Sequence, residues 1–208
     1  MDKEKVLVAG ANGTTGRMII QLLKESNLYT PIAMVRTKEQ NNRFEKDNVA
    51  TVMADLTANL TEAVMDADKV IFAAGSKGKN VIAVDQEGAK KMTDAAQLAG
   101  IKKFVMLSSM GADNPSQSES LKDYLKAKQN ADEHLRESGV PYSIVRPGQL
   151  TDNGPTGKIE LKEKLNKAGK ISRADVAKTL VEVLNDKVQN NTTFEIIAGE
   201  DEVAQAVL

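Results

Sequence analysis

Between residues 10 and 16 the chain reads G-A-N-G-T-T-G, directly behind the apolar run Val6-Leu7-Val8-Ala9 and ahead of Arg17-Met18-Ile19-Ile20-Gln21-Leu22-Leu23-Lys24. Three glycines in seven residues, so flanked, predict a short buried strand, a tight turn and a helix in that order. Without a Cβ, glycine reaches positive φ and lets a ligand approach the backbone closely. The helix that follows presents unpaired N–H groups and a partial positive charge, which suits a pyrophosphate. Gly10, Asn12, Gly13, Thr14, Thr15 and Gly16 are therefore the expected phosphate loop.

The remaining pattern repeats the same alternation. Strands are predicted over residues 30–36, 49–56, 70–74, 104–107, 142–145 and 193–197, with helices over 61–65, 81–99, 119–137 and 176–184. Ser172-Arg173-Ala174-Asp175 resembles a capping box opening the last of these helices. The polar run 37–48 leaves room for a short helix only, and Pro147-Gly148 is expected to break the sixth strand. Residues 150–170 carry no clear period, and the acidic tail after residue 197 reads as one helical turn or two. This spacing predicts an α/β fold, a doubly wound, mostly parallel sheet with helices on both faces. At 208 residues one domain over 1–208 is expected, with a small substrate-side region within about 150–170.

Composition narrows the partners. The 28 basic and 29 acidic residues nearly cancel, giving a net charge of −1, which argues against nucleic acid and for a small-molecule substrate. No cysteine is present and only one histidine, so disulfides, thiolate chemistry and a His/Cys metal site are not expected. No stretch reaches the length of a membrane span, so the expectation is a cytoplasmic protein, with homodimerisation left open. His134 reads as a solvated helix residue and the eight methionines as core filler.

In such sheets ligands gather beyond the carboxyl ends of the strands, so the chemistry should lie just after them. Arg36 stands twenty residues after Gly16, where an NAD site usually has an acid for the ribose hydroxyl. A guanidinium there suits a 2′-phosphate, so NADP(H) is expected over NAD(H), with Thr37 and Lys38 as helpers. Asp55 and Leu56, at the end of the third strand, would lie near the adenine, although Asp55 is as readily a cap for the next turn. Ala73, Ala74 and Gly75 leave room for a ribose, or else reflect tight packing.

The helix over 119–137 holds an anomaly. Its apolar stripe runs Leu121, Tyr124, Lys128, Ala131, Leu135, placing a lysine and a tyrosine where leucines belong. Tyr124 and Lys128 are one turn apart on one face. A phenol that ionises near ~10 is a poor proton shuttle at neutral pH, and a neighbouring ammonium favours its phenolate. Lys128 could also hold a ribose. Ser108 and Ser109 end the preceding strand, and Ser109, closer to the following loop, is favoured for orienting a substrate carbonyl. Arg146, Pro147 and Gly148 would pass backbone close to a nicotinamide, with Gln149 and Leu150 at the edge of the substrate space.

Together, G-A-N-G-T-T-G, V-R after the second strand, F-V-M-L-S-S-M-G-A-D, Y-L-K-A-K, Y-S-I-V-R-P-G-Q-L and I-S-R-A-D-V-A resemble the atypical short-chain dehydrogenase/reductases of the NAD(P)-binding, NmrA-like and flavin-reductase-like kind. The GxxGxxG spacing also resembles the form usual in that superfamily. The resemblance implies a Rossmann fold, NADP(H) binding and, in active members, a Ser-Tyr-Lys hydride-transfer site, matched here by Ser109, Tyr124 and Lys128. An NADP(H)-dependent oxidoreductase acting on a small carbonyl, quinone or flavin-like substrate is expected. The alternatives are a non-catalytic redox sensor, also found in the family, and an epimerase or dehydratase.

Overall fold

The computed structural model describes residues 2–76 and 78–208. In β1 (Glu4–Ala9) the last four residues are buried whichever way they point, which suits a strand with helices above and below it. Val6 and Val8 enter one core, while Leu7 and Ala9 enter the other. The chain continues through α1 (Thr14–Glu25), β2 (Tyr29–Val35), α2 (Lys38–Lys46), β3 (Ala50–Met53), α3 (Thr61–Val64), β4 (Lys69–Phe72), α4 (Glu87–Leu98), β5 (Lys103–Leu107) and α5 (Lys122–Glu137). Then follow β6 (Tyr142–Pro147), β7 (Gln149–Thr151), β8 (Lys158–Lys162), β9 (Lys170–Ser172), α6 (Arg173–Glu182), β10 (Thr192–Ala198), β11 (Asp201–Glu202) and α7 (Val203–Ala206).

Among the described residues, nine strands form one sheet in the order β3-β2-β1-β4-β5-β6-β10-β8-β11. Those from β3 to β10 are mutually parallel, while β8 runs antiparallel to both β10 and β11. Ile19, Leu23, Phe44 and Leu180 bring α1, α2 and α6 onto one face; Val64, Met92 and Leu135 bring α3, α4 and α5 onto the other. This is the Rossmann-like α/β arrangement the alternation implied. Strand order reverses between β1 and β4, which opens a crevice at their carboxyl ends. No helix among the described residues is long and apolar enough to cross a membrane.

Three local expectations change, and one stretch left without an assignment takes form. The sixth strand does not stop before Pro147. Pro147 O accepts from Met110 N, so the proline's missing N–H faces the side where β5 has already ended, and no ladder bond is lost. Residues 150–170 are not open loop: β8 joins the main sheet and β7 pairs in parallel with β9. The tail adds β11 to the sheet edge before its single helical turn. Finally, the helix expected over 81–99 begins with a π-helical turn, Val81–Gln86, and becomes α-helical only at Glu87.

Candidate active site

Gly10 has φ +87°, and a Cβ on it would meet Ala74 N at 2.6 Å, because the loop after β1 is pressed against the end of β4. A Cβ on Gly16 would run into Gly10 O. Gly13 N donates to Gly10 O at 2.9 Å, closing the turn, and Gly13 caps α1 without any side-chain hydrogen bond. The first turn of α1 contains no acid. The result is a cradle of small residues around uncapped, electropositive helix N–H groups, with the space and charge a dinucleotide pyrophosphate needs.

Two cavities meet at this cradle. Gly13, Ala73, Ala74 and Gly75 line both. The smaller, about 530 Å³, extends over Gly10, Asn12, Arg36, Asp55 and Leu56. Arg36 is exposed, and its backbone N–H donates to Gln40 Oε1 at 2.9 Å. Asp55 lines the cavity and caps its own turn as well: Oδ1 accepts from Thr57 N (2.8 Å) and Thr57 Oγ1 (2.6 Å). Those two hydrogen bonds, with the Arg36 charge as a lesser cause, hold its carboxyl below the usual range. Two guanidiniums outside the expected set brace Asn12. Its Oδ1 accepts from Arg17 Nη2 at 2.8 Å and Arg43 Nη1 at 3.3 Å.

The larger cavity, about 840 Å³, contains Thr14, Thr15, Gly16, Tyr124, Lys128 and Ser108. Lys128 is only 3% exposed. Its Nζ donates to Leu107 O at 3.2 Å and stands 5.8 Å from the centroid of the Tyr124 ring, so the two expected partners do share one site. The partner that answers the lysine's charge is Asp85, on the π-helical turn, with Oδ1 3.7 Å from Nζ. Asp85 was not among the expected residues. Its signal was available in the same form as that of Lys128, a charge on a stripe continued by Ala89 and Met92, both buried.

The serines separate. Consecutive residues of an extended segment point to opposite sides, and here Ser108 lines the Tyr124 cavity while Ser109 opens into a neighbouring one of about 930 Å³. Pro147 and Gly148 line that neighbour too, away from Lys128, and Leu121 borders both spaces. Ser109 Oγ donates to Met110 O at 3.2 Å. Ser108 Oγ donates to Asp132 Oδ2 at 2.9 Å, and Arg146 Nε and Nη2 reach the same oxygen at 3.0 and 2.9 Å. Burial pushes the Asp132 carboxyl up against the pull of Arg146. His134 bonds Asp94 at 2.6 Å and plays no part in the site.

Comparisons with known proteins agree with this geometry. Residues 10–187 match the family described as NAD(P)H-binding. The Bacillus subtilis (strain 168) protein named uncharacterized sugar epimerase YhfK is 37% identical over 98% of both chains. A solved structure from Bacillus halodurans, provisionally named an NAD-dependent epimerase/dehydratase, superposes with a TM-score of 0.93 at 36% identity, covering 98% of each chain. ChuY, an anaerobillin reductase from Escherichia coli O157:H7, superposes at 0.83 with 25% identity, over 94% of this chain and 98% of that one. Glycine cradle, crossover point and relatives converge: the chain belongs to the NAD(P)H-binding family and carries its nucleotide site on a Rossmann-like fold.

Proposed function

We propose that this protein is an NADP(H)-dependent oxidoreductase that passes hydride between the nicotinamide and a small carbonyl, quinone or flavin-like acceptor. The observation that carries the reading is the pair of cavities meeting at Gly13 and residues 73–75, one ending at Arg36 and the other at Tyr124 and Lys128. Their shared wall and opposite ends suit an elongated ligand with a phosphate middle. Gly10, Asn12, Gly13, Thr14, Thr15 and Gly16 would hold the pyrophosphate, Arg36 a 2′-phosphate, Asp55 and Leu56 the adenine, and Lys128 the far ribose.

When bound, the reduced cofactor supplies a hydride. Tyr124 gives up its hydroxyl proton as the acceptor oxygen gains negative charge, and the Lys128 ammonium offsets the charge left on the phenol. Ser108 is the serine within that cavity, although its hydroxyl proton must turn away from Asp132 to reach an acceptor. The reductase name of the Escherichia coli relative supports reduction as the direction.

NADPH oxidation across aldehydes, ketones, quinones and flavins, with Tyr124→Phe as control, tests the reading. Carbonyl turnover is expected to fall about 100-fold or more in the variant, the usual scale for loss of a positioned acid; undiminished turnover would remove Tyr124 from the mechanism. The epimerase names of the two Bacillus relatives favour a second reading, transient use of the cofactor. Product formation without net NADPH consumption distinguishes it in the same assay.

A further inference from the structure

Asp85 and Lys128 break the apolar stripes of neighbouring helices at positions that face each other, and both are buried, at 1% and 3% exposed. Withdrawing two charges from water is costly, and a buried pair repays this only through short, saturated hydrogen bonding. Here the charges stand 3.7 Å apart, beyond hydrogen-bond length. Lys128 has three N–H donors, of which Leu107 O takes one at 3.2 Å. Asp85 Oδ2 accepts from Ser76 N at 3.0 Å, while Oδ1, among the described residues, faces the ammonium across the gap. Fold stability alone is a poor account of such a pair. Both residues line the cavity that also contains the uncapped start of α1.

An acceptor and a donor side by side, with capacity to spare on each, complement a vicinal diol. One hydroxyl donates to the carboxylate while its neighbour accepts from the ammonium. A phosphate would be attracted by Lys128 and repelled by Asp85, so the pair selects a neutral hydroxylated group, while the uncapped end of α1 favours the anion. Asp85 is also close to the end of β4, where a Cβ on Gly75 would come within 3.2 Å of Oδ1. The π-helical turn sets Asp85 in this position, and wide turns of that kind are frequent at functional sites.

We propose that Asp85 is a cofactor-binding residue which, with Lys128, grips the two hydroxyls of the nicotinamide-side ribose and excludes phosphate from that end of the cavity. The proposal rests on the dinucleotide reading above, and the experiment separates the two. Calorimetric titration of wild type, Asp85→Asn and Asp85→Ala uses NADPH and ADP, since ADP ends before the second ribose. Asp85→Ala is expected to weaken NADPH about ten-fold or more and Asp85→Asn by less, the range for a lost hydrogen bond to a charged group, while ADP affinity holds. In turnover the KM for NADPH rises more than kcat falls.

Unchanged NADPH affinity in Asp85→Ala, or parallel losses for NADPH and ADP, would overturn the clamp. If the alanine variant does not fold, the asparagine variant, which keeps the shape, decides by the same comparison. A wild-type protein that binds no NADPH defeats the dinucleotide reading itself, and the clamp with it.

Discussion

At the scale of single residues, what distinguishes this site is charge standing where packing would prefer carbon. Lys128 is the clearest case, a buried ammonium on a core-facing stripe that finds Asp85 across the cavity. Arg36 is the opposite case, an exposed guanidinium at a strand end with nothing to bury. On the proposed reading it meets a 2′-phosphate. Arg36→Asp is expected to weaken NADPH about ten-fold or more while leaving NADH within a few-fold, because a charge-assisted pair is replaced by repulsion only for the phosphorylated cofactor. Dissociation constants for both cofactors check this, and equal losses would remove Arg36 from cofactor selection.

At the scale of elements, one carboxylate organises the stretch that has no period in the sequence. Ser172 caps α6, its Oγ accepting from Asp175 N at 3.0 Å. Asp175 in turn accepts from Gly157 N at 2.8 Å, Thr156 N at 3.0 Å and Thr156 Oγ1 at 3.2 Å, so the first turn of α6 holds the start of β8. Asp175→Ala strands those groups and is expected to destabilise the fold by about 3 kcal/mol, against about 1 kcal/mol for Ser172→Ala, which removes the cap and the one hydrogen bond its hydroxyl donates to Asp175 Oδ2 but leaves the carboxylate holding residues 156 and 157. Urea denaturation gives both values. Faster amide exchange at Thr156 and Gly157 in the first variant alone would confirm that the carboxylate, and not the cap, holds the segment.

For the whole molecule, the end of the sheet opposite the site is fastened by buried lysines. Lys69 Nζ donates to Leu184 O and Asp186 Oδ1 at 2.8 and 2.7 Å; Lys103 Nζ donates to Asn185 O and Val188 O at 2.9 and 2.6 Å. These bonds tie the chain beyond α6 to β4 and β5. Burial pushes the Lys103 ammonium from 10.5 down to about 8, so between those values the unfolded chain binds more protons than the folded one. Stability therefore rises with pH across that window and is lost as pH falls toward 8. Tyr29 acts in the other direction: burial, then Glu4, pushes its phenol from 10.0 up to about 12, so its contribution is present below pH 10 and lost as pH rises toward 12. The urea midpoint should climb between pH 8 and 10 and turn over above it. Lys103→Met should flatten the climb, and an unaltered slope would contradict the assignment to Lys103.

The sequence by itself determined whatever depends on neighbours a few residues away. Apolar runs, glycines and a capping serine are local facts, so the strand-turn-helix start, the βα alternation, the tight glycine turn and the shared face of Tyr124 and Lys128 were all legible. Tertiary structure decided what depends on which strands become neighbours. It placed β8 against β10, carried β6 through Pro147, and set Ser108 rather than Ser109 beside Tyr124, because the pleat at the end of β5 is fixed by its partners in the sheet. It also brought Asp85 opposite Lys128 through a π-helical turn, a conformation that local propensity does not specify. A buried charge announces in sequence that it needs an answer; only the packed fold determines which residue supplies it.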